Sequence, residues 1–394
     1  MIWDILHIID ILLWVIMAAS VMYVFLFSFL SLFKGKKKPQ ASMPELLNYL
    51  VLFPAYHEDN VIINSVEQFL KQEYPSDHFL VMVISDHMTD DTNRQLSELP
   101  ITLLTPAFEK SSKAKALQYA MSQLENSSFL QHPEQCRVVI LDADNVVRPD
   151  FLTQLNVSCA QGYKAIQCHR CAKNSNNDIA VLDGVSEEIN NSLFRRAHNT
   201  VGMSSALIGS GMCFDYQWFS QHVGQLNSAV EDRELEALLM KEKVFVKFEN
   251  DIPVFDEKVS NSDNFERQRL RWMNGQVQTL LLMLPYIPKA VITGNINYID
   301  KTIQQALIPR SVLLVCTLAM ALLLTACVSV WCFKWWLLFA ILCLSLFVAM
   351  PSRLRSRAVF SRLTYLPRLV WRMLSNVTKL DRKNKDFLHT THDK

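Results

Sequence analysis

Arg137-Val138-Val139-Ile140-Leu141-Asp142-Ala143-Asp144 is the stretch that orders the rest of the chain. Its run of aliphatic residues reads as a strand buried on both faces, the kind found inside a parallel sheet. The run ends in two carboxylates separated by one alanine. In an extended backbone, residues two apart point the same way, so Asp142 and Asp144 are expected to lean toward one point. That point lies at the carboxyl end of a central strand, where open α/β sheets keep their ligands. Two converging carboxylates repel each other, and a divalent cation relieves the repulsion. Mg2+ or Mn2+ fits, with phosphate oxygens completing its shell. Taken alone, the stretch also reads as a strand end followed by a solvated Asp-Ala-Asp turn.

The chain has 394 residues, room for about two or three domains by the usual size prior. Its net charge of +1 gives no general attraction to polyanions, so no nucleic-acid partner is expected. The apolar residues are unevenly spread. From Ile5 to Phe33 they are almost continuous, with Asp10 the main exception, and two more runs lie between Ile308 and Met350, divided near Trp331. Each is long enough for the roughly 20 residues a spanning helix needs. The first run has no basic start and exceeds the roughly 7–15 residues of a signal core, so it reads as a retained anchor. Lys34, Lys36, Lys37 and Lys38 follow it, and Arg353, Arg355 and Arg357 follow the last run. Basic flanks stay inside, which predicts an outside amino terminus and a cytoplasmic main body at the cell membrane. The cysteines have no CxxC spacing and are expected to be reduced packing groups, with no zinc site.

The expected organisation follows: a transmembrane helix in 1–33, a basic linker in 34–47, a cytoplasmic α/β domain in 48–260, interface helices in 261–306, two transmembrane helices in 307–350 and a basic tail in 351–394. Strands are expected at Tyr49–Phe53 (stopped by Pro54), Phe79–Ile84, Ile101–Leu104, before Asp142, at Ala165–Gln167, Ala206–Ile208 and Val244–Phe248. Helices are expected from Asp59 (as N-cap) to Glu73, Thr89 to Leu99, Ser112 to Glu125, after Pro149, a long polar one from Asn177 to Asn199, and Glu231 to Lys241 and Asp263 to Leu284. This alternation predicts a mostly parallel mixed sheet flanked by helices. The Pro-interrupted segment from Pro285 to Pro309 suits a membrane surface. The tail from Ser352 to Lys385 reads as an inner-leaflet helix or as a disordered basic segment.

Several residues carry chemistry. Asp86 ends the second strand, where a carboxylate can accept hydrogen bonds from a base or ribose. Lys113 either reaches a phosphate or is a solvated first-turn lysine. Gly209-Ser210-Gly211 permits close backbone approach to a ligand. Of Glu231 and Asp232, one can cap a helix while the other takes a proton from an acceptor hydroxyl. Arg269 and Arg271 offer guanidinium forks matching a diphosphate, and Trp272 a flat face for a sugar or base. An Arg-Leu-Arg-Trp run beside a membrane is otherwise an interfacial anchor.

In order, Pro54-Ala55-Tyr56-His57-Glu58, Ser85-Asp86-His87-Met88-Thr89-Asp90, Asp142-Ala143-Asp144, Gly209-Ser210-Gly211, Glu231-Asp232 and Gln268-Arg269-Leu270-Arg271-Trp272 resemble the motif series of family 2 glycosyltransferases. The resemblance covers about 48–310. It is to the membrane-bound branch with cellulose, chitin, hyaluronan and poly-N-acetylglucosamine synthases. It implies a GT-A nucleotide-diphospho-sugar transferase domain. Ala55, Glu58 and Asp86 are then near the nucleotide, and Asp142 and Asp144 hold the metal and diphosphate. Asp232 becomes the general base with Glu231 beside it, and Gln268, Arg269, Arg271 and Trp272 close over diphosphate and acceptor. Lys113 joins the donor set, and Gly209, Ser210 and Gly211 the acceptor set. His57 stands where Asn is common in the family, and His87-Met88 where smaller polar residues are common.

The expected activity is inverting transfer of a UDP-hexose or UDP-N-acetylhexosamine sugar to a glycan or lipid-linked hydroxyl. With only three runs long enough to span, single additions are expected, or polymerisation through an oligomer or an export-channel partner. The alternatives are a catalytically silent nucleotide-sugar-binding subunit of an export complex and a metal-dependent phosphohydrolase or nucleotidyltransferase.

Overall fold

The computed structural model describes residues 2–33, 35, 44–124, 129, 131–175, 177–228, 230–258, 262–327 and 329–365. Most of the basic linker and the tail beyond 365 lie outside these residues. The chain opens with a long apolar helix, α1 (Ile2–Leu30). Then come β1 (Asn48–Tyr56), α2 (Ile62–Phe69), β2 (Phe79–Asp86), α3 (Asp90–Ser97), β3 (Thr102–Leu104), α4 (Lys113–Ser122) and β4 (Cys136–Ile140). The second half of the sheet follows as β5 (Val146–Val147), α5 (Phe151–Cys159), β6 (Ala165–Ala172) and α6 (Asp178–Asn190). A π-helical segment, Asn191–Arg196, joins α6 to α7 (Ala197–Thr200), and β7 (Met212–Asp215), α8 (Tyr216–His222), α9 (Glu231–Lys241) and β8 (Val246–Asp256) complete this part. The carboxyl-terminal helices are α10 (Ser262–Met283), α11 (Ile287–Ile292), α12 (Ile296–Ala306), α13 (Arg310–Ala326), α14 (Cys332–Ala349) and α15 (Arg357–Arg362).

One eight-stranded sheet runs in the order β3-β2-β1-β4-β7-β6-β8-β5. The first four positions are parallel, β7 is antiparallel to both β4 and β6, and β8 is parallel to β6. The chain leaves β1 toward β2 on one side while β4 lies on the other, so a switch point opens at their carboxyl ends. Strand periodicity divides the core. Leu50, Leu52, Val138 and Ile140 face α4, α8 and α9, while Val51, Phe53, Val139 and Leu141 face α2, α3 and α5. Val138 to Leu141 are fully buried, each contributing about 1.5–3 kcal/mol by leaving water.

Local expectations are corrected in five places. Pro54 does not stop β1, which runs on to Tyr56. Leu141 N bonds to Leu52 O at the end of the β4 ladder, and Pro54, two residues on along the same edge, needs no donor there. Asp59 caps no helix; its Oδ1 accepts from Thr89 N and from the hydroxyls of Thr89 and Thr92, tying the β1 loop to the start of α3. Ala206–Ile208 is a loop, and the strand is Met212–Asp215. α4 ends at Ser122, and residue 125 lies outside the described part. The Asn177–Asn199 helix is not polar on its surface: Asp183, Glu187, Glu188 and Arg195 are buried.

Among the described residues, two helices, Trp3–Leu30 and Cys332–Ala349, are long and apolar enough to cross a membrane. A third crossing exists if α12 and α13, bent by 55° at their junction, are one broken span. Asp10, the polar interruption of α1, accepts from Trp335 Nε1 at 2.8 Å and pairs with Lys334, so its charge is met inside the helix pair. Lower on α1, Tyr23 donates to Asp300 of α12 at 2.7 Å and lies 3.0 Å from His198 Nε2.

Candidate active site

A cavity of about 1110 Å3 opens where β1, β2 and β4 end. Ala55, Glu58, Asp86, Lys113, Asp142, Asp144, Gly209, Glu231, Asp232, Gln268, Arg269, Arg271 and Trp272 all line it. These residues come from widely separated parts of the chain, and the fold brings them to one place.

At the first two strand ends, Tyr56 pairs with Asp86 in register. Asp86 is buried, and its Oδ1 lies 2.6 Å from His87 Nδ1. His57 and His87 adopt φ of 54° and 56°, the left-handed region that asparagine enters more readily than histidine. Both rings pack with Tyr56 into an aromatic cluster beside Asp86.

Asp142 and Asp144 line the cavity, but not by the alternation of an extended strand. β4 ends at Ile140, and Asp142 to Asn145 form a tight turn closed by Asn145 N donating to Asp142 O and Asn145 Oδ1 accepting from Asp142 N. Asp142 consequently faces Lys113, while Asp144 accepts from Glu257 N at 2.7 Å and from Asn145 Nδ2 at 3.0 Å.

Lys113 is not a solvated first-turn lysine. Ser112 caps α4 through Lys115 N, and the side chain of Lys113 turns inward. Its ammonium bonds to Asp142 Oδ1 and to Gly209 O at 2.6 Å and lies 3.5 Å from Glu231 Oε1. Burial opposes its charge, yet Asp142, Glu231 and Asp232 outweigh burial and raise its pKa. Burial likewise raises the Asp142 carboxyl, but Lys113, with help from Arg170 and Arg271, pulls it below the usual carboxylate value. Glu231 goes the other way. Burial, opposed by Lys113 and reinforced by Asp232, pushes it up to about 7.

Glu231 and Asp232 open α9. Asp232 Oδ1 accepts from Arg233 N, so the helix start orients it. Gly209 (φ 63°) lies against this pair: a Cβ there would sit 3.8 Å from Asp232 Oδ2. Ser210 and Gly211 do not line the cavity. Their carbonyls accept from Gln167 Nε2, and a Cβ on Gly211 would meet Val254 at 3.0 Å. They turn the backbone into β7 behind the site.

α10 crosses over α9 at Gly275, where a Cβ would meet Val230 Cγ1 at 2.5 Å. That approach lowers Gln268, Arg269, Arg271 and Trp272 onto the acidic pair. Arg269 pairs with Asp183 and stacks on Trp272, 4.5 Å from the ring centroid. Arg271 lies among Glu231, Asp142 and Asp232, and burial draws it below the ordinary guanidinium value. Gln276 Nε2 bonds to Gln305 O and Leu307 O, fixing α10 to the end of α12.

Sequence reading missed a buried charge network in the cavity wall, to which Arg170, Arg195 and Asp256 contribute lining groups. Arg170 pairs with Asp256 at 3.1 Å and approaches Glu187 at 4.0 Å; Glu187 also pairs with Arg195 at 3.0 Å. The available signal was Arg170 on an otherwise buried strand, followed by acids at helical spacing in α6. Apart from the cavity, His169, Cys171 and Glu188 bring potential ligand atoms within 4.8 Å of one another. His169 is held there by Asn250 O at 2.9 Å and Glu188 at 3.1 Å, and Glu188 also pairs with Arg353, which accounts for the grouping without an ion.

The sequence model described as "Glycosyltransferase like family 2" matches residues 44–275, more than half of the chain. The chain belongs to this family. Its GT-A-like α/β fold is shared with the mannosyltransferase PcManGT from Pyrobaculum calidifontis, solved with GDP-Man and Mn2+; the match has 17% identity and a TM-score of 0.57 and covers 95% of this chain and 100% of that one. More distant are S. aureus TarS 1-349 (12% identity, TM-score 0.43, 85% and 89% covered) and the Mycobacterium tuberculosis glucosyl-3-phosphoglycerate synthase in complex with Mn2+, UDP-glucose and phosphoglyceric acid (16%, 0.42, 63% and 86%). No curated protein matches by sequence. In this family 2 glycosyltransferase the cavity lies at the switch point of the sheet, and residues of α13 and α14 contribute to its wall.

Proposed function

We propose that this protein is a membrane-bound, inverting, metal-dependent hexosyltransferase, which moves a sugar from a nucleotide-diphospho-sugar, of the UDP-hexose or UDP-N-acetylhexosamine class, to the hydroxyl of a glycan or lipid-linked acceptor. The observation that carries it is the single cavity in which Asp142, Asp144, Glu231 and Asp232 meet Arg271 and Trp272.

Asp86 and the aromatic cluster of Tyr56, His57 and His87 suit the nucleoside end, with Ala55 and Glu58 beside it. The ionised state of Asp142 fits a hard cation, and Asp144 adds a second carboxylate at the same cavity. These two would hold Mg2+ or Mn2+. Held there, it would supply positive charge against the diphosphate. Lys113, Gln268, Arg269 and Arg271 supply fixed positive charge and hydrogen bonds around the same leaving group, the electrostatic preorganisation that dominates most such reactions. Asp232 takes the acceptor proton while the acceptor oxygen attacks the anomeric carbon from the face opposite the nucleoside diphosphate. Glu231 lies beside Asp232 and, through Lys113, sets the charge of the acidic cluster. Gly209 leaves room for the acceptor next to Asp232, and Trp272 offers it a stacking face.

α1 and α14, with the broken α12–α13 segment, anchor this domain in the cell membrane. The basic residues after α1 and after α14 favour a cytoplasmic site and an outside amino terminus. Exposed Val291, Ile292, Ile296 and Ile303 on α11 and α12 suit contact with the bilayer surface. The test is a panel of UDP-sugars offered to membranes containing the protein, with and without Mg2+ or Mn2+. Free UDP together with a glycosylated product is expected. Donor binding with no turnover would favour a silent subunit, and phosphate release without sugar transfer a phosphohydrolase.

A further inference from the structure

The cavity does not end at the catalytic groups. It continues between α13 and α14, where Val315, Leu318, Phe339, Cys343, Leu344 and Phe347 line it. Leu344 and Phe347, which line it, are 53% and 45% exposed, so this end of the corridor is open rather than sealed by packing, a mouth at α14. A water-soluble sugar acceptor has no use for an apolar passage of this kind. At the inner end of the corridor stands Arg310, the first residue of α13. Ser186 and Asn190 of α6 hold one guanidinium nitrogen, Nη2, at 2.7–3.2 Å. The other, Nη1, also buried, has no hydrogen-bond partner. A buried guanidinium nitrogen left unbonded is costly, and among the described residues no carboxylate forms a salt bridge with Arg310; because Arg310 also lines the cavity, a small turn of its side chain would bring Nη1 to an anionic oxygen there.

Resting on the transferase reading above, we propose that the acceptor is an anionic lipid: its tail occupies the corridor between α13 and α14, its phosphate lies on Arg310, and a free hydroxyl of its head group reaches Asp232. In the transfer, the head-group oxygen bonds to the anomeric carbon, the bond from that carbon to the donor's phosphate oxygen breaks with its electron pair leaving on the nucleoside diphosphate, and the hydroxyl proton passes to Asp232. The glycosylated lipid leaves through the same mouth into the bilayer.

The test uses the full chain in detergent with a photoreactive phosphatidylglycerol, whose head group carries both a phosphate and free hydroxyls, bearing a diazirine in its acyl chain. Labelling is expected to be saturable, to map to the corridor faces of α13 and α14, and to be competed about tenfold better by phosphatidylglycerol than by diacylglycerol, a difference of about 1.4 kcal/mol. Leu318→Trp, which fills the corridor, should abolish saturable labelling. Leu323→Trp, on an exposed position of the same helix, should not, which separates blockage from misfolding. Arg310→Ala should erase the preference for the phosphate, and Arg310→Lys should retain most of it. Unsaturable labelling spread over all exposed helix faces, or equal competition by diacylglycerol, overturns the proposal. So does displacement by UDP, because the anion on Arg310 would then be the donor's. UDP release is read in parallel. Saturable labelling without UDP release upholds the corridor and sinks the transferase reading; UDP release into a water-soluble product without saturable labelling does the reverse.

Discussion

Lys113 and Glu231 stand 3.5 Å apart, ammonium to carboxylate, each the first residue of its helix. The pair joins α4, packed on the parallel half of the sheet, to the helix that carries Asp232. It also sets the protonation of the acidic cluster, because Lys113 is shared with Asp142.

Lys113→Met should therefore leave one buried carboxylate, Glu231, and one half-buried carboxylate, Asp142, without their cation. Breaking a buried pair in this way costs about 3–5 kcal/mol. A fall in Tm is expected, together with loss of nucleotide-sugar binding measured by calorimetry. Unchanged donor affinity would remove Lys113 from the donor site.

Glu231 predicts a pH dependence of stability. Its carboxyl titrates near 7 in the folded protein and near 4.5 in its ordinary state, so the folded form binds the extra proton between those values. The group's contribution is fully present below about pH 4.5 and is lost as pH rises through about 7, an effect on the order of 3 kcal/mol. Asp142 has the opposite sign, but its window lies below the ordinary carboxylate value. Thermal unfolding from pH 5 to 8 should show Tm falling in the wild type and a flatter profile in Glu231→Gln.

Asp232→Asn should leave donor binding nearly intact and lower the transfer rate by roughly 100-fold or more, the usual loss for a general base. Single-turnover measurements with labelled donor distinguish this from impaired binding. Retained turnover would move the base elsewhere.

Gly275→Ala tests the crossing of α10 over α9. In an exposed helix interior the change would stabilise by about 1 kcal/mol. Here the new methyl meets Val230 at 2.5 Å, and overpacking of this sort typically costs about 1–3 kcal/mol. Activity should fall as Arg271 and Trp272 lift from the acidic pair, and Val230→Ala should restore much of it. Failure of that rescue would mean that the two helices do not touch in this way.

The sequence made the parallel half of the sheet legible because its strands obey simple rules. Val138 to Leu141 had to be buried on both faces, and alternating strands and helices left few topologies. Less was legible beyond β4. Ala206–Ile208 looked like a strand, yet Gly209 and Gly211, both at positive φ, swing the chain so that Met212–Asp215 pairs instead. The Asp142–Asp144 motif was located by an argument from extended backbone, whereas a turn through Asn145 presents the two side chains. The charged residues of α6 looked solvated because a helix pattern does not reveal that acids will meet Arg170, Arg195 and Lys258 inside. Arg310 was hidden for a similar reason: a basic residue before an apolar run ordinarily marks a membrane edge.

Val24 of α1 and Leu363, just after α15, both help wall the cavity, although almost the whole sequence separates them. A ribosome would have to pass Leu363 before this chamber could close. Severing the leading helix would remove Tyr23 from Asp300 and open one side of the chamber to water. For the membrane-bound transferase proposed above, activity would thus depend on both ends of the described chain being in place.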